Sequence, residues 1–209
     1  MGMKWTEPRW KSYIVRSGDP LFTPEQCDDI IRLGQRAKPE TAKVGTPIPG
    51  GKDGKLDKKK RITEISWIPF NEPQAGPMYN IIEQAMQRVN INHMGFDLPQ
   101  LTEMAQYIHY PTGAFYDWHT DSEVNFVNQP CVRKISMTVL LNDPKEFKGG
   151  NLQFMDNVKD NNNDLKRGEA VFFASFIRHR ITPVTKGDRK SLVCLLYTSD
   201  AAGDDHCVD

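Results

Sequence analysis

The rhythm of hydrophobic and polar positions changes near Leu101. Before it, apolar residues recur at helical spacing. Thr23-Pro24-Glu25-Gln26 opens one helix: Thr23 suits the N-cap, Pro24 the first helical position, and Gln26 the reciprocal partner of a capping box. Ile30, Ile31 and Leu33 supply its apolar positions, and Pro39 ends it near Ala37. A second helix is predicted over 77–93, with Met78, Ile81, Ile82, Ala85, Met86 and Val89 along one stripe. Two strand-like runs accompany these helices, 12–16 and the alternating stretch 61–68.

From Leu101 onward short strand-like runs take over, at 101–110, 114–119, 132–141, 151–155, 170–174, 178–184 and 190–196. Turns at Pro111-Thr112-Gly113, Lys148-Gly149-Gly150, Lys166-Arg167-Gly168 and Lys186-Gly187-Asp188 divide them. Helices followed by many short strands predict an α+β fold. Its core is a double-stranded β-helix, or jelly roll, with the N-terminal helices packed on one sheet. Residues 44–60 break the pattern. They hold four glycines and two prolines and end in Asp57-Lys58-Lys59-Lys60. That stretch reads either as a solvated connector or as a lid that captures substrate.

Composition narrows the classes. The 209 residues suffice for one domain with a sizeable core. Lys plus Arg and Asp plus Glu both total 27, so no global field exists to hold a nucleic acid or an anionic membrane, and neither partner is expected. No run approaches the ~20 apolar residues of a membrane span, and residues 1–10 lack the apolar segment of a signal peptide. The expected compartment is cytoplasmic. Cys27, Cys131, Cys194 and Cys207 show no C-x-x-C spacing and read as free thiols.

The chemistry gathers in the strand-rich part. His119-Thr120-Asp121 follows the run 114–119, and residues two apart in a strand face the same side. By itself this is a weak pattern. His179 follows the apolar run 170–174, Arg189 lies ten residues beyond it, and Ser191 is two further on. Two histidines and one carboxylate leave open positions on a metal, the arrangement suited to non-haem Fe(II) oxygenases. A buried Arg is costly unless it meets an anion, and its planar fork matches a carboxylate. An iron site beside an inward Arg therefore implies a carboxylate-bearing co-substrate.

These residues sit in ordered blocks. They are Tyr110-Pro111-x-Gly113-x-x-Tyr116-x-x-His119-x-Asp121, then Ile135 to Pro144, Phe147-Lys148-Gly149-Gly150-Asn151-Leu152, and His179-Arg180-Ile181-Thr182-Pro183 through Arg189-x-Ser191. Over 106–193 the chain resembles the 2-oxoglutarate/Fe(II)-dependent dioxygenase superfamily, in its prolyl 4-hydroxylase-like, PKHD-type branch. The resemblance implies that His119, Asp121 and His179 are iron ligands. It implies that Arg189 pairs with the distal carboxylate of 2-oxoglutarate, with Tyr110 and Ser191 assisting. It also implies O2 as co-substrate, ascorbate as a reductant, and release of succinate and CO2. The substrate is unidentified, with a prolyl residue in a protein or peptide favoured by analogy. Tyr116 and Trp118 read equally as border of the substrate entrance or as core.

One dioxygenase domain is expected over 1–193, its catalytic part from about 101. Residues 194–209 depart from the family pattern and resemble translated adapter sequence, so they are expected to be non-native, with His206 and Cys207 carrying no function. Two readings compete. One is a non-catalytic metal-binding scaffold or sensor. The other is a cupin-like metal hydrolase or isomerase, which has no need of Arg189.

Overall fold

The structure is a computed structural model that describes residues 11–41, 59, 61–97, 100–122, 131–155 and 164–199. The stretch 44–60, apart from Lys59, lies outside the described residues, as do His206 and Cys207. Helix α1 spans Pro24–Arg36 and begins as its sequence predicts. Thr23 Oγ1 accepts from the Gln26 amide at 3.3 Å, and Gln26 Oε1 accepts from the Thr23 amide at 2.9 Å. Gly34 on its inner face is a packing requirement. A Cβ there would run into the Tyr107 ring, so only glycine lets the helix lie this close to the sheet.

Helix α2, Gly76–Val89, holds the whole apolar stripe but ends before the predicted limit at residue 93. Asn90–Met94 continues as a wider turn, closed by Gly95 in the left-handed region (φ 71°). The cause is local: the Asn90 amide group pairs with both backbone groups of Phe96, at 2.8 Å each, and draws the chain out of the helix.

Thirteen strands are assigned among the described residues. They are β1 (Ile14–Arg16), β2 (Glu40–Thr41), β3 (Arg61–Ile62), β4 (Glu64–Ile68), β5 (Ala105–Tyr110), β6 (Phe115–His119), β7 (Cys131–Leu140), β8 (Phe147–Gly149), β9 (Leu152–Phe154), β10 (Ala170–Ala174), β11 (His179–Ile181), β12 (Val184–Gly187) and β13 (Arg189–Ser199). A seven-stranded antiparallel sheet runs β1-β10-β7-β13-β5-β4-β2, a four-stranded sheet runs β3-β6-β11-β9, and β12 pairs with β8. The expected run 178–184 is two strands, because Pro183 has no amide to continue the ladder.

The period of two sorts the core into two layers. On the larger sheet Ile135, Met137, Val139, Phe172, Leu192, Cys194 and Leu196 meet Ile30, Leu33, Met78, Ile82 and Met86 of the helices. Their strand neighbours, Leu140, Val171, Phe173 and Ile108, turn the other way and meet Leu152, Phe154 and Ile181 of the smaller sheet. Fully burying one such side chain stabilises by about 1.5–3 kcal/mol. The result is the expected helix-covered jelly roll. The chain after Val193 belongs to it: Cys194, Leu195 and Leu196 are buried, and β13 stays paired with β7 through Ser199. Among the described residues, no helix is long and apolar enough to cross a membrane.

Candidate metal and co-substrate site

Strand β11 places His179 directly opposite His119 at the end of β6. The register then shifts. Two steps along β11, from His179 to Ile181, face three along β6, from His119 to Tyr116. This bulge turns Tyr116 and His119 to the same side, where their rings stack with centroids 3.4 Å apart. Strict alternation would have set them on opposite faces. Trp118 instead meets Arg180, whose guanidinium carbon is 4.6 Å from its ring. Of the two aromatics flagged from sequence, Tyr116 therefore stacks on His119, and Trp118 packs with Arg180.

Asp121 reaches the same point by a different route from the one expected. β6 ends at His119, and Asp121 lies in the turn beyond it. Its amide donates to the Ser175 carbonyl at 2.9 Å, which folds the chain back over the barrel mouth. Ser136 Oγ on β7 donates to Asp121 Oδ2 at 2.6 Å.

Both imidazoles are oriented by backbone. His119 Nδ1 lies 2.7 Å from the Asp117 carbonyl, and His179 Nδ1 lies 2.9 Å from the Ile177 carbonyl. A carbonyl only accepts, so each Nδ1 carries the proton and each Nε2 presents a lone pair. Those lone pairs face a carboxylate: His119 Nε2 is 3.6 Å from Asp121 Oδ1, and His179 Nε2 is 3.7 Å from Asp121 Oδ2. These separations are too long for direct hydrogen bonds. Lone pairs and an anion converging on one gap call for a cation between them. The three ligand atoms lie within 4.8 Å of one another, and two imidazoles with one carboxylate are a donor set that suits iron(II).

Burial tunes this set. It pushes the His179 imidazole down to about 4, partly offset by Asp121, with His119 lowering it further. Burial would raise the Asp121 carboxyl, but the two histidines and the Ser136 hydroxyl outweigh it and hold it below the usual carboxylate range.

Arg189 opens β13 directly opposite Tyr110 on β5, with its guanidinium carbon 5.4 Å from the Tyr110 ring. Arg189 is 2% exposed, yet among the described residues its Nη1 finds no hydrogen-bond partner, and neither does the buried Ser191 Oγ. Two other arginines that enter the fold meet carboxylates: Arg16 meets Glu169 at 2.5 Å and Arg133 meets Glu103 at 3.0 Å. An unpaired buried cation costs several kcal/mol, and burial accordingly pushes the Arg189 pKa down. Orphaned donors in this position fit a carboxylate ligand. Arg189 also lines a cavity of about 280 Å³ with Leu140, Phe147, Gly150, Leu152 and Leu165. Burial raises the Tyr110 hydroxyl; the Arg61 and Arg189 charges lower it, and the Asp121 charge raises it again. Tyr110 is thus within electrostatic reach of both ends of the site.

Sequence reading singled out Tyr110, His119, Asp121, His179, Arg189 and Ser191, and the fold gathers them between the two sheets. It missed Ser136, Ser175 and Arg61. Ser136 had a signal, a small polar residue inside the apolar run 135–141. Arg61 had none. It is 9% exposed, donates from Nε to Thr63 Oγ1 at 2.9 Å, and lies 4.2 Å over the Tyr116 ring that stacks on His119.

Residues 105–197 match the family described as the 2OG-Fe(II) oxygenase superfamily, a span that contains all six residues singled out from sequence. Among curated proteins, a PKHD-type hydroxylase of Hyphomonas neptunium is 28% identical over 69% of this chain and 64% of its own length. One from Paracoccus denitrificans is 26% identical over 81% of this chain and 71% of its own. One from Azoarcus sp. is 36% identical over 44% and 40%. The match thus covers less than two thirds of the length of the Hyphomonas and Azoarcus relatives. Among solved structures, the viral collagen prolyl hydroxylase of Paramecium Bursaria Chlorella virus-1, in its 2OG complex, has a TM-score of 0.66 at 19% identity, covering 90% of this chain and 97% of that one. A Pseudomonas putida prolyl-4-hydroxylase has a TM-score of 0.66 at 18% identity, covering 88% and 91%. Sequence blocks, fold and matches point the same way: over residues 105–197 the chain is similar to the 2-oxoglutarate- and Fe(II)-dependent oxygenase superfamily.

Proposed function

We propose that the chain is an Fe(II)- and 2-oxoglutarate-dependent hydroxylase. One observation carries this reading: two imidazole lone pairs and a carboxylate converge on one point, in a barrel that also buries an arginine whose Nη1 has no hydrogen-bond partner among the described residues. In it, His119, Asp121 and His179 hold the ion on one side and leave the other side open. Arg189 pairs with the distal carboxylate of 2-oxoglutarate, and the Tyr110 and Ser191 hydroxyls donate to it. When bound, the iron supplies Lewis-acid and redox chemistry that couples decarboxylation of 2-oxoglutarate, to succinate and CO2, with transfer of one oxygen atom from O2 to a substrate C–H bond. The chain itself orients and shields. Tyr116 stacks on His119 and Phe173 packs against His179, their ring centroids 4.5 Å apart, so water is excluded from one flank of the site.

The substrate in this reading is a prolyl residue in a protein or peptide. The prolyl hydroxylases among structural neighbours support that class, as does a Trichoplax adhaerens prolyl hydroxylase described in complex with a hypoxia inducible factor peptide fragment. Ascorbate serves as reductant. The buried free thiols Cys27 and Cys194 support a reducing, cytoplasmic setting, and residues 1–193 are read as one oxygenase domain.

The test is incubation with Fe(II), 2-oxoglutarate and O2, with succinate followed by NMR and proline-containing peptides followed by mass spectrometry. Succinate should form, and a peptide should gain one oxygen atom. Succinate without any modified peptide rejects the prolyl class only. No succinate at all, from iron-loaded protein, rejects the enzyme in favour of a metal-binding scaffold.

A further inference from the structure

Ser136 and Ser175 are fully buried, and burying hydroxyls is costly unless they are used. Ser136 Oγ is 2.6 Å from Asp121 Oδ2 and 2.9 Å from Ser175 Oγ. An ionised carboxylate only accepts, so Ser136 gives its one proton to Asp121, and Ser175 must then donate to Ser136. Ser175 is itself anchored. Its amide donates to the Lys134 carbonyl at 2.9 Å, and its carbonyl accepts from the amides of Asp121 at 2.9 Å and Ser122 at 3.1 Å. One residue thus fixes the backbone of Asp121 and, through Ser136, its carboxylate as well.

We propose that Ser136 is a positioning residue whose hydroxyl, oriented by Ser175, holds back Asp121 Oδ2 and leaves Oδ1 as the oxygen offered to the metal. This rests on the reading of His119, Asp121 and His179 as metal ligands. Oδ2 lies 3.7 Å from His179 Nε2 and Oδ1 lies 3.6 Å from His119 Nε2, so both oxygens border the same gap. A carboxylate free to turn about its Cβ–Cγ bond brings both onto one ion. Two-oxygen ligation then fills a position that 2-oxoglutarate or O2 needs. A short hydrogen bond to an ionised oxygen is among the strong ones, and it engages Oδ2 elsewhere.

Cobalt(II), a spectroscopic stand-in for iron(II), tests this without turnover. Its visible bands report coordination number, and 2-oxoglutarate titrated into the cobalt-loaded protein reports the open positions. Ser136→Ala should still bind cobalt but with altered bands before 2-oxoglutarate is added. Its 2-oxoglutarate Kd should rise about ten- to a hundredfold, the same scale on which a lost outer-sphere partner lowers metal affinity or activity. Ser136→Thr, which keeps the hydroxyl, should stay within about threefold of the parent. Ser136→Ala with parental bands and parental 2-oxoglutarate affinity overturns the proposal. Should Ser136→Ala not fold, Ser175→Ala decides: it removes the orienting donor, and unchanged 2-oxoglutarate affinity there also overturns it. Cobalt binding by the parent that survives Asp121→Ala strikes the ligand assignment instead, and the proposal falls with it.

Discussion

Arg189 is carried by the fold at a cost. Its guanidinium is buried, Nη1 has no partner among the described residues, and Tyr110 offers a ring face but no anion. Replacing even a buried ion pair with apolar side chains of similar volume is often neutral or stabilising by about 1–4 kcal/mol, and a buried charge without its anion has less to lose. Arg189→Met should therefore raise the urea midpoint of the ligand-free protein while weakening 2-oxoglutarate at least about tenfold. A less stable variant with unchanged 2-oxoglutarate affinity would mark Arg189 as structural. His179 sets the acid limit of the metal-free protein. Burial holds its imidazole pKa down to about 4 against an ordinary 6.5. The unfolded chain takes up that proton first, so the stability is complete above about 6.5 and drains away as pH falls towards 4. Asp121, held below its ordinary value of 3.8, has the same sign and is lost at still lower pH. At about 1.4 kcal/mol per pH unit, the His179 contribution amounts to about 3–4 kcal/mol, of which about 2–3 kcal/mol is lost by about pH 4.5. Urea unfolding of metal-free protein at about pH 7.5 and about pH 4.5 measures it, and identical midpoints would reject it.

Elements position these residues through irregularities as much as through regular pairing. Gly150 lies between β8 and β9 in the left-handed region (φ 62°), and a Cβ there would sit 2.8 Å from Arg189 Cδ and 3.1 Å from Val184 Cγ2. Gly150→Ala should thus do two things: cost about 1 kcal/mol of backbone strain and displace Arg189. Gly113, at φ 89° with nothing within 4 Å of an added Cβ, is the control. Gly113→Ala should lower the Tm similarly yet leave 2-oxoglutarate binding intact, whereas Gly150→Ala should lose about tenfold of it. Equal 2-oxoglutarate affinities for the two variants would remove Gly150 from the site. The same irregularities mark where the sequence could be read and where it could not. The capping box at Thr23 and the alternation along β7 and β13 were legible, because each depends on neighbours in the chain. The β6 bulge was not, because it arises from the register of β6 against β11, more than fifty residues away. Alternation therefore put His119 and Asp121 on one strand face, while the chain brings them together through a turn pinned by Ser175. The residue types of the site were readable; the route to them was tertiary.

At the scale of the whole molecule, the site hangs from the last strand. β13 lies between β7 and β5, carries Arg189 and Ser191 at its start, and runs to Ser199. Its far half reaches the metal side by another path. Tyr197 Oη accepts from Arg133 Nε at 2.5 Å and donates to Glu103 Oε2 at 2.8 Å, while Arg133 Nη1 donates to the Asp121 carbonyl at 3.3 Å. Against the resemblance, residues from about 194 are expected to be non-native, yet the family match runs to residue 197, and Cys194, Leu195 and Leu196 are 1%, 3% and 0% exposed. Removing a buried aliphatic side chain costs about 2–5 kcal/mol, so losing these three together approaches the whole stability of a domain, about 5–15 kcal/mol. It also strips the inner edge of β7 of its partners from Met137 to Cys131. A chain ended after Val193 should show no cooperative thermal transition and no metal-dependent stabilisation. One ended after Ser199 should keep both. Calorimetry of the two, with and without cobalt(II), separates the cases. A Val193 form that melts at the parental temperature would mean that the core closes without the far half of β13, and that Arg133 holds Asp121 without Tyr197.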